Sequence, residues 1–136
     1  MRFTEHELTV ALTAAAKAVV AAGDKDARKG RTDADTLWNA MGKYERYQVL
    51  SGLGDQLLPV LLALPDVEVE AGTRPTFTDA QIVAAVESTL DAQGGGLRDR
   101  ARRKVVVAGR AALVKTALAQ LPPRQDPDAL VVPDHL

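Results

Sequence analysis

The chain contains no cysteine. That rules out disulfides, thiolate catalysis and cysteine-ligated zinc, and it suits a reducing cytosol. Aromatic residues make up only 4% of the chain. Histidine occurs only as His6 and His135, near opposite chain ends, so no histidine pair stands at ligand or triad spacing. No apolar run approaches the ~20 residues of a membrane span; the longest, "LLPVLLALP", is interrupted by Pro59. In "MRFTEHELTV", Glu5 and Glu7 stand where a signal peptide would place basic and then apolar residues. Neither sign of charge dominates. With a formal net charge of −1 the chain as a whole is no polyanion binder, so a nucleic-acid site would have to be a local patch. HExxH, GxSxG and phosphate-loop patterns are missing, and nothing calls for a cofactor or metal. The expectation is a soluble cytoplasmic protein.

What is present reads as helix. A chain of 136 residues suits one domain and buries roughly 65–70% of its unfolded surface without a covalent staple. "FTEHEL" and "FTDAQI" repeat one local pattern. In each, a threonine (Thr4, Thr78) stands three residues before Glu7 or Gln81, the spacing of a capping box. In each, a phenylalanine precedes the threonine and can staple onto Leu8 or Ile82. A first helix is expected from Glu5 to Ala22, with Leu8, Ala11, Leu12, Ala15 and Val19 inward. Gly23 stops it. The connector "GDKDARKGRTDAD" begins like a calcium loop, but Arg28 and Lys29 occupy the positions that need Asp or Asn and then Gly. It reads as a solvated loop.

A second helix is expected from Asp33 or Asp35 onward. One stripe would carry Leu37, Ala40, Met41, Tyr44, Tyr47 and Gln48, placing both tyrosines on the core. Trp38 falls off that stripe and shares a flank with Val49. Either the next helix covers this flank, which is the favoured reading, or Trp38 and Val49 meet a partner. "SGLGD" reads as a turn into a short, central, leucine-rich helix ended by Pro65, with Pro59 in its first turn. Val67 and Val69 alternate with Glu68 and Glu70, which fits a short extended segment. A fourth helix runs from Asp79 to Ala92, with Ile82, Ala85, Val86 and Leu90 inward. Gly94–Gly96 break the chain, and the last helix extends from Leu97 to Leu121, stopped by Pro122.

The fold expectation is therefore an all-α bundle of about five helices over residues 1–121. A proline-containing tail follows, residues 122–136, with a second extended segment at 130–132. Along the last helix, "VVVAGRAALV" is apolar round most of its circumference and is expected to be buried on several sides. Arg110 would mark its solvent face.

The one local charge concentration is "RDRARRK", in which Arg98, Arg100, Arg102, Arg103 and Lys104 accompany one acid, Asp99. These are the candidate polyanion contacts, because basic side chains supply most non-specific nucleic-acid affinity. Against that, the charges spread over an arc of about 240°, Asp99 can pair with Arg103, and no aromatic platform adjoins them.

The middle of the chain, "YERYQVLSGLGDQLLPVLLALPDVEVEAGTRPTFTD" from Tyr44 to Asp79, together with "FTEHEL", resembles a group of short, uncharacterised helical proteins from actinobacteria. The resemblance covers about half the chain and implies a small α-helical domain; it carries no catalytic or binding residue across. Abundant Ala, Val, Asp and Arg beside one Ile and one Asn fit a bacterium with a GC-rich genome. Three functional classes follow. The leading one is a non-catalytic interaction or adaptor domain that pairs with itself or with another protein. The second is polyanion binding through Arg98 to Lys104. The third is a carboxylate-based enzyme, which needs a deep pocket lined by two acids.

Overall fold

The structure, a computed structural model, describes residues 1–92 and 100–124. It is an all-α bundle: among the described residues there are six helices and no strand. They are α1 (Glu5–Ala22), α2 (Lys25–Arg28), α3 (Ala34–Ala40), α4 (Lys43–Ala63), α5 (Asp79–Ala92) and α6 (Arg100–Ala119).

Both expected capping boxes form. The Thr4 hydroxyl accepts from the Glu7 N–H at 3.1 Å while the Glu7 carboxylate accepts from the Thr4 N–H at 2.8 Å. Thr78 and Gln81 exchange the same pair at 3.1 and 2.8 Å. Phe3 and Leu8 pack against the core, as do Phe77 and Ile82. The inner stripe of α1 is rotated from the expected one: Glu7, Ala11, Ala15 and Ala16 are buried, and Val19 is exposed. The connector is not wholly irregular. Asp24 caps the four-residue α2 through the Ala27 N–H at 2.9 Å, and Asp33 caps α3 through the Thr36 N–H at 2.7 Å. The Thr36 backbone and side-chain hydrogen bonds hold the Asp33 carboxyl below its ordinary value.

The largest departure from expectation lies between residues 33 and 64. The helix breaks at Met41 and Gly42, and α4 then runs unbroken through "SGLGD" and Pro59. Leu53, Leu57, Val60 and Leu61 are all buried on its inner face. They recur at three- and four-residue steps, and burying such a side chain contributes about 1.5–3 kcal/mol. Each interior glycine costs only about 1 kcal/mol, so packing carries the helix through Gly52 and Gly54. Pro59 removes one N–H from the ladder and frees the carbonyl of Asp55, a residue exposed to water.

α1, α4 and α6 pack on one another, α5 packs on α4 and α6, and α3 lies on α1. The side chains of Leu57, Leu61, Leu64, Val86, Val114 and Leu121 are fully buried among them. Val67 and Val69 face the core and Glu68 and Glu70 face water, as their alternation implies, but no strand forms there. The expected segment 130–132 lies outside the described residues.

Three distant parts of the chain meet near Arg124. Its Nε and Nη2 donate to the Glu7 carboxylate at 3.2, 2.9 and 3.1 Å, and Nη2 also reaches the Arg2 carbonyl at 3.4 Å. The Arg124 N–H donates to the Thr73 carbonyl and its own carbonyl accepts from Gly72, both at 2.7 Å. So the chain after Pro122 docks on the loop before α5 as far as Arg124. The Met1 ammonium donates to the Leu62 and Leu64 carbonyls and lies 3.4 Å from Asp66. A cation there complements the C-terminal end of α4.

Candidate interaction site

Because α4 starts afresh at Lys43, its inner face takes a new phase. Val49, Leu50 and Leu53 turn inward, and Tyr44 and Tyr47 turn out. Their exposures are 71% and 66%, so neither tyrosine is a core residue. The expectation of a core stripe through both assumed one helix from Asp33, and the Met41–Gly42 break undoes that phase. Going along the outer face, Tyr44, Tyr47 and Gln48 are followed by Ser51, Gly52 and Asp55, all exposed. Large aromatic groups thus occupy one end of the face and small side chains the other. A Cβ built on Gly52 would meet nothing within 4 Å.

Trp38 goes the other way. It is 6% exposed and belongs to the core, with Val49 half-buried and packed against that core. Neither presents the off-stripe flank that would make it a partner contact on this surface.

The basic cluster is split. Arg98 and Asp99 lie outside the described residues. Arg103 is half-buried and pairs with Asp91 of α5 at 2.9 Å. Arg102 and Lys104 are exposed on different sides of α6, and Arg100, Arg103 and Lys104 line a cavity of about 380 Å³ between α5 and α6. The expected burial of "VVVAGRAALV" on several sides does not occur: Val105 is 72% exposed, and Ala108, Gly109 and Ala112 are exposed beside it. Conversely Arg110 does not mark a solvent face; it is half-buried, and its Nη1 has no hydrogen-bond partner among the described residues.

Compared with known proteins, the chain matches no family model, no curated protein and no solved structure.

Two further concavities lie elsewhere on the surface. A groove of about 610 Å³ runs between α1, α3 and α6, bordered by Thr9, Thr13, Ala18 and Gln120, with Lys17 and Asp35 paired at 2.7 Å on its edge. A smaller one, about 270 Å³, lies beside Phe77 and Leu118 and is edged by the Lys115–Asp79 pair at 2.9 Å. Each of these three spaces holds a single carboxylate: Asp35, Asp79 or Glu87. None of the three assembles the two acids that a carboxylate-based enzyme needs. Among the described residues no group of His, Asp and Glu could hold a metal ion. His6 is exposed in the first turn of α1, and His135 lies outside the described residues. No described helix is long and apolar enough to cross a membrane.

The tyrosine face is not among the sequence expectations. Its signal was present in Gly42, an acceptable N-cap residue directly before a new polar–aromatic turn.

Proposed function

We propose that this protein is a non-catalytic helical interaction domain of the bacterial, actinobacterial cytoplasm, and that the partner it meets through α4 is a second copy of itself. The observation that carries the reading is the outward-facing Tyr44–Tyr47 pair on a helix whose buried residues begin only at Leu53. Tyrosine suits such a surface: an amphipathic, two-torsion side chain loses little entropy on binding. The face is also self-complementary. In an antiparallel pairing about a two-fold axis, Tyr44 and Tyr47 of one copy meet the small Ser51–Gly52 end of the other, and the reverse contact forms by symmetry.

The size of the contact sets the affinity. At about 150–250 Å² for each aromatic side chain, two tyrosines from each copy fall short of the roughly 1,200 Å² of a standard interface. Association is therefore weak and reversible. Sedimentation equilibrium from micromolar to millimolar chain concentration tests this. The expected result is a monomer–dimer equilibrium that Tyr44→Asp with Tyr47→Asp abolishes, leaving helicity unchanged by circular dichroism. A wild-type chain that stays monomeric throughout overturns it.

Polyanion binding is the weaker reading. Arg103 is engaged by Asp91, and the cations beside it surround an apolar-floored cavity instead of a phosphate-tracking stripe.

A further inference from the structure

The cavity between α5 and α6 combines two features that seldom share a surface by chance. Its floor is apolar, made by Val83 of α5 with Val107 and Ala108 of α6. Its rim is cationic. Arg100, Arg103 and Lys104 stand three and four residues apart, so helical geometry puts all three on the same side of α6. Val83, Glu87 and Asp91 recur every four residues along the facing side of α5.

Asp91 fixes one of the cations. Its 2.9 Å bond to Arg103 Nη2 leaves the Arg103 side chain only 26% exposed, held against the cavity instead of sweeping through water. Among the described residues no carboxylate lies within ion-pair distance of Arg100 or Lys104, although Glu87 lines the same space. Among the described lining residues three cations meet one carboxylate, Glu87, and Asp91 beside the cavity engages only Arg103. The space thus pairs an apolar floor with a cationic rim. It complements a molecule with one anionic end and one apolar end.

We propose that this cavity binds a small amphipathic carboxylate, its head group between Arg100 and Lys104 and its apolar body against Val83, Val107 and Ala108. A charged hydrogen bond to the head fixes orientation, and burial of the body supplies affinity. The volume, about 380 Å³, falls at the small end of ligand pockets. A nucleic-acid strand fits this site less well, since none of the described lining residues is aromatic and Arg103 is already engaged by Asp91.

The test is a ¹H–¹⁵N NMR titration of the full chain with four probes: octanoate, octanol, inorganic phosphate and a short DNA duplex. Octanoate is expected to shift the amides of Val83, Glu87, Lys104 and Val107 saturably, with octanol and phosphate each at least about tenfold weaker, the loss of one charged contact or of the buried body. Lys104→Gln should weaken octanoate about tenfold. Arg102→Gln removes the same charge from a position outside the cavity and should leave binding unchanged. Ala108→Leu adds bulk at an exposed helical position and should block the floor without unfolding the chain. Equal losses for Arg102→Gln and Lys104→Gln would reduce the effect to diffuse charge and overturn the site. So would octanol binding as well as octanoate, phosphate or duplex binding as tightly, or no saturable shift with octanoate. The tyrosine face of α4 contributes nothing to this cavity, so the outcome is independent of self-association.

Discussion

Glu7 answers to two structural demands. It closes the capping box of α1 by accepting from the Thr4 N–H, and it receives a forked bond from Arg124. Its side chain is 5% exposed, against 27% for Arg124, so the two ends of the pair are unequal. Removing the cation strands a buried carboxylate; altering the carboxylate leaves a cation that water can reach. Arg124→Ala should therefore cost about 3 kcal/mol. Glu7→Gln, which keeps an acceptor for the Thr4 N–H, should cost less than about 2 kcal/mol. Urea unfolding followed by circular dichroism checks the order; equal losses would mean the buried charge is not the controlling term. Half of this arrangement was legible in the sequence. Thr4 and Glu7 announce a cap by spacing alone, whereas Arg124 lies 117 positions from Glu7 and leaves no local trace of its partner.

At the scale of helices, the sequence signals ranked correctly by type and poorly by strength. α1 and α5 are readable because capping boxes mark their starts and glycine or apolar spacing marks their extent. α4 is not, because the composition of "SGLGD" favours a turn while the run from Val49 through Leu53, Leu57 and Leu61 keeps a four-residue step across it. Local propensity differences of about 1 kcal/mol yield to several buried leucines. The same accounting predicts how two other glycines respond. Gly109 lies inside α6 with open space around its Cβ direction, so Gly109→Ala should stabilise by roughly 0.5–1 kcal/mol. Gly72 has φ +80° in the loop that pairs with Arg124, so Gly72→Ala should destabilise by about 1 kcal/mol or more. Thermal melts of the two variants should move in opposite directions; a shared direction would contradict the backbone assignment.

For the molecule as a whole, helical periodicity made the all-α class legible, but not which faces would be left open. "VVVAGRAALV" reads as a helix to be surrounded, yet among the described residues α6 packs on α1, α4 and α5 and keeps one side open. Val107, Ala111 and Val114 take the core, and Val105 is left in water. The tyrosine face is the same kind of remainder, and its assembly should be visible in stability. If two copies pair through Tyr44 and Tyr47, the melting midpoint rises with chain concentration. Because those side chains are uncharged, that rise should persist at high salt, where a charge-driven contact would fade. Differential scanning calorimetry at three concentrations and two ionic strengths checks both; a midpoint independent of concentration would rule the pairing out.

The junction at Arg124 also has a consequence in time. A ribosome adding about 5–20 residues per second delivers Arg124 roughly 6–23 s after Glu7, since 117 positions separate them. Throughout that interval the carboxylate must stay hydrated, because burying it without its cation is costly. The seat that Glu7 takes in the fold is therefore completed only once Arg124 has been made.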